Sequence, residues 1–349
     1  MRKWFYRLLL VAVVPTSVGL VDACTRAVYL GEGGRVLTGS TMDWKEDILS
    51  NLWAFPRGMD RNGAAGANSI RWTSKYGSVI TSGYDVSTTD GLNEAGLAVN
   101  LLWLVESKYP EPDTKPTNLA MSLWAQYMLD NFGSVREAVD AARQGTFTVL
   151  TANVPGQNRL ATLHLSLSDS SGDSAVMEYI NGKLVIHHGR EFQVMTNSPT
   201  YDEQLALVRY WKEVGGATML PGTNRAADRF ARASFYINTI PQVEDRLNAT
   251  AGVFSVMRNV SVPWGISTPD QPNISSTRWR TVADHKSLAY YFESALTPNT
   301  FWVDLTKLDL KPGAPVKSLQ LGPHQSRVFS GEVSQQFQPT KPFPFAPYQ

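Results

Sequence analysis

A chain of 349 residues with 43% apolar and 11% aromatic side chains can bury a large core, which excludes intrinsic disorder. Its formal net charge of +1 points to neither nucleic acid nor a strongly anionic surface as a partner. The single cysteine excludes an internal disulfide.

The first 23 residues read as an export signal. Arg2, Lys3 and Arg7 precede a mostly apolar run from Leu8 to Leu20, and Val21-Asp22-Ala23 offers short residues where a signal peptidase cuts. Pro15, Thr16 and Ser17 break the run, which falls short of the roughly 20 apolar residues of a membrane span. The expected organisation is a cleaved signal, 1–23, followed by one catalytic domain, 24–349, that is periplasmic or secreted. Cleavage removes three of the 32 basic and one of the 31 acidic side chains and leaves a net charge near −1. Cys24, the one cysteine, then stands first in the mature chain. Three readings compete there: an inert buried thiol, a lipid attachment point, or a nucleophile. Asp22 fits poorly in the small, uncharged position that a lipid signal prefers.

No internal repeat or low-complexity segment interrupts the chain. Short β-like runs come first, at Thr25–Leu30, Val36–Trp44 and Ser78–Ser82, with Glu32-Gly33-Gly34 as a hairpin turn. Asp90-Gly91-Leu92-Asn93 reads as a turn before the apolar segment Leu97–Leu104. Three- and four-residue apolar spacing predicts helices over Leu119–Asn131 and Val135–Arg143. Strands follow at Ala161–Leu167, Ala175–Ile180, Lys183–His188 and Phe192–Met195, then helices at Asp202–Val214, Asn224–Ile240 and Val243–Arg258. The chain returns to strands at Thr277–Asp284, Leu288–Glu293, Thr300–Leu305 and Lys317–Leu321. From Pro339 a Pro- and Phe-rich tail is expected to lie over the surface. This order of strands and helices implies sheets covered by helices.

A thiol attacks a carbonyl only as its thiolate and needs a base nearby. None of the five histidines, His164, His187, His188, His285 and His324, forms a recognisable motif with Cys24. A cysteine at the chain start has its own α-amine, whose unperturbed pKa of about 7.7 to 8.0 suits proton transfer near neutral pH.

Several segments carry a resemblance. Cys24-Thr25-Arg26, Met42-Asp43-Trp44, Thr73 to Ser78, Asp90 to Leu97, Met195 to Pro199, Leu220 to Arg225 and Asp228-Arg229-Phe230 resemble the choloylglycine hydrolase family in order and spacing. Within it the chain looks most like the exported penicillin V acylases of the Gram-negative type, whose relatives also cleave N-acyl homoserine lactones. The resemblance implies an α+β fold, the four-layer αββα sandwich of N-terminal nucleophile hydrolases, and commonly a homotetramer.

It also implies roles. Cys24 matches the nucleophile, and Asp43 the aspartate that aligns the amine. Asn197 matches the oxyanion asparagine, although Asn before Ser-Pro is also a common turn element. Trp103 falls where a backbone N–H supplies a second oxyanion donor. Arg229 matches the arginine beside the nucleophile, with Arg225 a less favoured substitute and a surface helix arginine the plain alternative. Many relatives carry an arginine three residues before the aspartate; this chain has Ser40, which would remove a cation from beside the thiol.

Trp44 and Trp103 fall where these acylases place aromatics around the acyl group, and flat walls suit a phenoxyacetyl ring or a fatty acyl chain better than a steroid. The expected activity is hydrolysis of penicillin V, N-acyl homoserine lactones or both, with bile-salt hydrolysis as the alternative. A lipid-anchored binding protein and an amide hydrolase that matures by self-cleavage are the rivals. No metal-ligand cluster, phosphate-cradling loop or nucleotide motif is present in the sequence, so no cofactor is implied and the partner is a small acyl amide. Asn248, Asn259 and Asn273 head Asn-X-Ser/Thr triplets, inert in a periplasm.

Overall fold

The computed structural model describes residues 24–266, 268 and 274–348. The expected signal segment and Asn273 lie outside them. β1 (Thr25–Leu30) and β2 (Val36–Trp44) form an antiparallel hairpin closed by a short turn at Glu32–Gly34, where the Glu-Gly-Gly triplet predicts it. This hairpin sits within a seven-stranded sheet. Its order is Val194–Met195, β1, β2, Ser276–Asp284, Ala289–Ser294, Thr300–Asp304 and Gly331–Glu332, antiparallel except for the last pair.

A second, nine-stranded sheet is antiparallel throughout. It runs Lys183–His188, Ser174–Ile180, Leu163–Ser168, Ala98–Trp103, Ser87–Asn93, Ser78–Gly83, β3 (Leu52–Phe55), Lys317–Leu319 and Gln338–Pro339. Helices α1 (Met121–Asn131) and α2 (Val135–Arg143) cover its outer face, while α3 (Tyr201–Val214), α4 (Ala226–Thr239) and α5 (Arg246–Asn259) lie on the seven-stranded side. The four layers are therefore α, β, β and α, as the resemblance implies.

Two apolar cores fill the layers. One runs between the sheets and on beneath α3–α5; the other lies between the nine-stranded sheet and α1–α2. Strand alternation divides side chains between them, so that Ala98 and Leu102 join the first core and Val99 and Leu101 the second. On β2 the same alternation turns Thr38 toward the other sheet, its Oγ1 2.8 Å from Ser168 Oγ, and Gly39 toward α5. A Cβ on Gly39 would stand 2.7 Å from Val253 and 2.8 Å from Met257, so glycine is what lets α5 lie this close to the strand. Ser40, Met42 and Trp44 thus face the second sheet, and Thr41 and Asp43 face the helices.

Three expectations change. Asp90–Asn93, read as a turn, is the end of strand Ser87–Asn93, and the turn follows it. A Cβ on Gly91 would meet Ile80 at 2.8 Å and Leu129 at 3.0 Å, while Asn93 Nδ2 donates to the carbonyls of Leu129 and Phe132 at the end of α1. These tertiary contacts override turn propensity. The helix expected from Leu119 starts at Met121, because Asn118–Ala120 pair as a short parallel strand with Thr148–Leu150. The tail is not merely superficial: Phe343 is buried, 5.0 Å from the Trp53 ring and 5.8 Å from Phe55.

Candidate active site

Cys24 immediately precedes β1 and is 3% exposed. The hairpin register sets Thr25 opposite Thr41, which brings the next residues of β2 against the cysteine. The Asp43 backbone N–H donates to Cys24 Sγ at 3.4 Å, and Met42 Sδ lies 3.8 Å from the sulfur.

Asp43 is fully buried on the helix-facing side of β2. Its carboxylate accepts from Thr277 Oγ1 and, at 3.3 Å, from Thr41 Oγ1, with Arg229 Nη1 at 3.7 Å. Burial pushes its pKa up to about 6, against the opposing pull of the Arg229 charge and the two threonine hydroxyls. Arg229, on the first turns of α4 and fully buried, donates from Nη1 to the Cys24 carbonyl at 2.8 Å and to Thr25 Oγ1, and from Nη2 to Asn197 Oδ1 at 3.0 Å. Burial lowers its pKa, and the neighbouring Asp43 and Cys24 oppose that shift.

Asn197 lies beyond the edge strand Val194–Met195, and its Nδ2 donates to the Trp103 carbonyl at 2.7 Å. Gln204 of α3 donates to the Asn197 carbonyl, and the buried His164 bridges Glu178 (2.9 Å) and the carbonyl of Thr196 (2.7 Å). Trp103 ends its strand opposite Leu163, and Leu104 N–H donates to Thr162 O. Ladder alternation therefore turns the Trp103 N–H and C=O toward the other edge, where pairing with Ser87–Asn93 stops at Asp90 and Asn100. The two strands part there, and a cavity of about 120 Å³ opens, lined among others by Cys24, Met42, Trp44, Trp103, Val154 and Leu163. The Trp44 and Trp103 ring centroids are 5.4 Å apart; Trp44 Nε1 donates to Tyr84 Oη at 2.8 Å, and the Arg159 guanidinium stands 4.0 Å over Trp103.

The structure brings together Cys24, Asp43, Asn197, Arg229, Trp44 and Trp103. Arg225 is left out, exposed at the start of α4. All five histidines are engaged elsewhere: His164 as above, His285 with Thr38 and the Gly96 carbonyl, and His187, His188 and His324 with Asp202, Asp173 and Asp47. Thr25, Thr277 and Gln204 give no sequence signal, since they matter only through residues far away in the chain. Thr41 gives a weak one, two residues before Asp43 on the same strand face.

Ser40 shares the face of β2 that carries Met42, and its hydroxyl helps to hold down the pKa of Asp90 on the facing sheet. Asp90 also accepts from Tyr290 Oη at 2.6 Å and Asn100 Nδ2 at 2.7 Å, and burial pushes its pKa up to about 6. Arg26, opposite Ser40, is spent on the Leu167 and Phe192 carbonyls and Ser174 Oγ. Arg229 is thus the cation beside Cys24.

A test of the Asp90 cluster follows from its raised pKa. The folded chain holds that proton more tightly than the unfolded one, so the stabilisation is fully present below pH 3.8 and lost as pH rises through about 6. Between pH 4 and 7, urea unfolding of the wild type should lose about 2 kcal/mol more than Asp90→Asn. Equal pH slopes would contradict the shift.

The sequence pattern of the linear amide C–N hydrolases, choloylglycine hydrolase family, matches residues 24–319. This chain belongs to the choloylglycine hydrolase family. It hydrolyses carbon–nitrogen bonds of linear amides. A penicillin V acylase of Pectobacterium atrosepticum is 55% identical over 346 residues, covering 93% of this chain and 92% of the relative. The structure of penicillin V acylase from Agrobacterium tumefaciens is 63% identical, with a TM-score of 0.87, covering 93% of this chain and all of that one. A conjugated bile acid hydrolase from Clostridium perfringens shares the fold at 23% identity, with a TM-score of 0.72 over 85% of this chain and 97% of its own.

Proposed function

We propose that this hydrolase is exported, starts at Cys24 after signal removal, and uses that residue as nucleophile and base together. The neutral α-amine takes the thiol proton and the thiolate attacks the amide carbonyl. Asn197 Nδ2 and the Trp103 N–H hold the oxyanion. The intermediate collapses as the ammonium returns the proton to the departing amine, leaving a thioester. Water, deprotonated by the same amine, then releases the acid and restores the thiol. Asp43 aligns the amine, and the Arg229 charge favours thiolate and oxyanion.

One observation carries this reading: the buried Cys24 sulfur is enclosed by the Asp43 N–H, with Arg229 linking the Cys24 carbonyl to Asn197. The commitment of all five histidines elsewhere supports the amine as base. For substrate, the paired indoles at the cavity favour penicillin V and N-acyl homoserine lactones over bile salts, in keeping with the relatives named penicillin V acylases. We take the working form to be a homotetramer; the exposed Leu207, Tyr210 and Val214 of α3 offer apolar surface for a subunit contact.

The test is amine release by the purified chain beginning at Cys24, verified by intact mass. Penicillin V and a hexanoyl homoserine lactone should turn over at least tenfold faster than taurocholate, since a misfit of one or two methylenes already discriminates by about that factor. Faster bile-salt turnover, or full activity of a chain whose amine is blocked, would overturn it.

A further inference from the structure

Residues beyond Gln338 lie outside the span that the family pattern matches, yet they end at the same cavity as Cys24. Phe345 packs at a tilt against the buried Phe343 with ring centroids 4.7 Å apart, and the Arg61 guanidinium stands 5.4 Å over it. From this anchor the backbone is stapled across the molecule. Ala346 N–H donates to the Val86 carbonyl at 2.9 Å, Ser122 Oγ of α1 donates to the Ala346 carbonyl at 2.6 Å, and Tyr348 N–H donates to the Ala64 carbonyl at 2.9 Å.

Ala346 and Pro347 thereby line the cavity that holds Cys24, Trp44 and Trp103. On their other side an open groove runs between residues 344–347 and the loop 152–158. Val86, the loop residues 152–155 and Ala346 with Pro347 border both spaces, so the end of the chain forms one side of the partition between them and the loop the other.

We propose that Phe345–Tyr348 is a strap that closes the acyl cavity and limits the length of acyl group it accepts. The inference rests on the acyl-amidase reading above. Short or aromatic acyl groups end against Ala346 and Pro347, while a long fatty acyl chain needs the groove beyond them. Removing the strap joins the two spaces into one channel.

The experiment compares the wild type with a chain ending at Phe345 and with Ala346→Phe. The truncation keeps the aromatic anchor and opens the partition; the substitution thickens it without shortening the chain. Two ratios are read for each: kcat/KM for dodecanoyl against hexanoyl homoserine lactone, and Kd for dodecanoic against hexanoic acid by tryptophan fluorescence. Truncation should shift both about tenfold or more toward the longer chain, and Ala346→Phe should shift them the other way. Binding ratios within about twofold of wild type in both variants would overturn the strap. If the wild type hydrolyses neither lactone, the catalytic reading fails, and the binding ratios still decide the strap.

Discussion

Replacing Cys24 by alanine in a correctly processed chain is expected to lower amide turnover by about four orders of magnitude or more, as loss of a covalent nucleophile does elsewhere. The thiol lies against Met42 and the Asp43 N–H, and alanine empties only the space of one sulfur. The fold and the cavity should persist, so acyl-ligand binding should stay near its wild-type value. Cys24→Ser is the sharper variant. It keeps the α-amine and an attacking atom, but a hydroxyl is a far weaker nucleophile near neutral pH. Measured together, amine release and ligand binding separate chemistry from structure. Turnover at close to the wild-type rate in either variant would remove Cys24 from the mechanism.

Arg229→Gln is expected to be the most damaging change outside the nucleophile, on both stability and rate. Arg229 is the cation facing the buried Asp43, and it also donates to the Cys24 carbonyl and Asn197 Oδ1. Breaking such a pair costs about 3–5 kcal/mol, because one charge is left buried without compensation. Losing the cation raises the Asp43 pKa further above about 6, so the variant should be protonated there at pH 5 and charged, at a cost, at pH 8. Its stability deficit should therefore be larger at pH 8 than at pH 5, as read by urea unfolding at both. In kcat the loss should be on the order of a hundredfold, similar to that of removing an oxyanion donor, since Asn197 loses the contact that aims it. An equal deficit at both pH values would mean that Asp43 and Arg229 are not coupled.

The parts of this molecule readable from sequence were those governed by local chemistry. The hairpin of β1 and β2 follows from alternating strand residues around Glu-Gly-Gly. Helix α2 follows from its apolar spacing, and the structure adds a cap at its start, where Ser134 accepts the Glu137 N–H. The catalytic candidates came through resemblance, and the structure places Cys24, Asp43, Asn197 and Arg229 within one hydrogen-bonded group. What stayed hidden depends on distant partners. Asp90 and Asn93 have turn chemistry, but one is bound by Tyr290 from the other sheet and the other caps α1. Ser40 stands where the resemblance expects an arginine, and its proximity to Asp90 of the other sheet left no mark in the sequence. The Pro- and Phe-rich tail carried no periodicity at all, because its conformation is fixed by Trp53, Phe55, Val86 and Ser122.

Cys24 and the segment 346–347, far apart in sequence, meet at one cavity, Cys24 at one wall and Ala346 with Pro347 at another. Neither terminus is then a neutral handle for engineering. A purification tag ahead of Cys24 would cap the proposed base, and a bulky fusion after Tyr348 would pull on the closing strap. Immobilising this hydrolase on a support is better done through an exposed internal turn such as 311–313, which leaves both ends as the fold holds them.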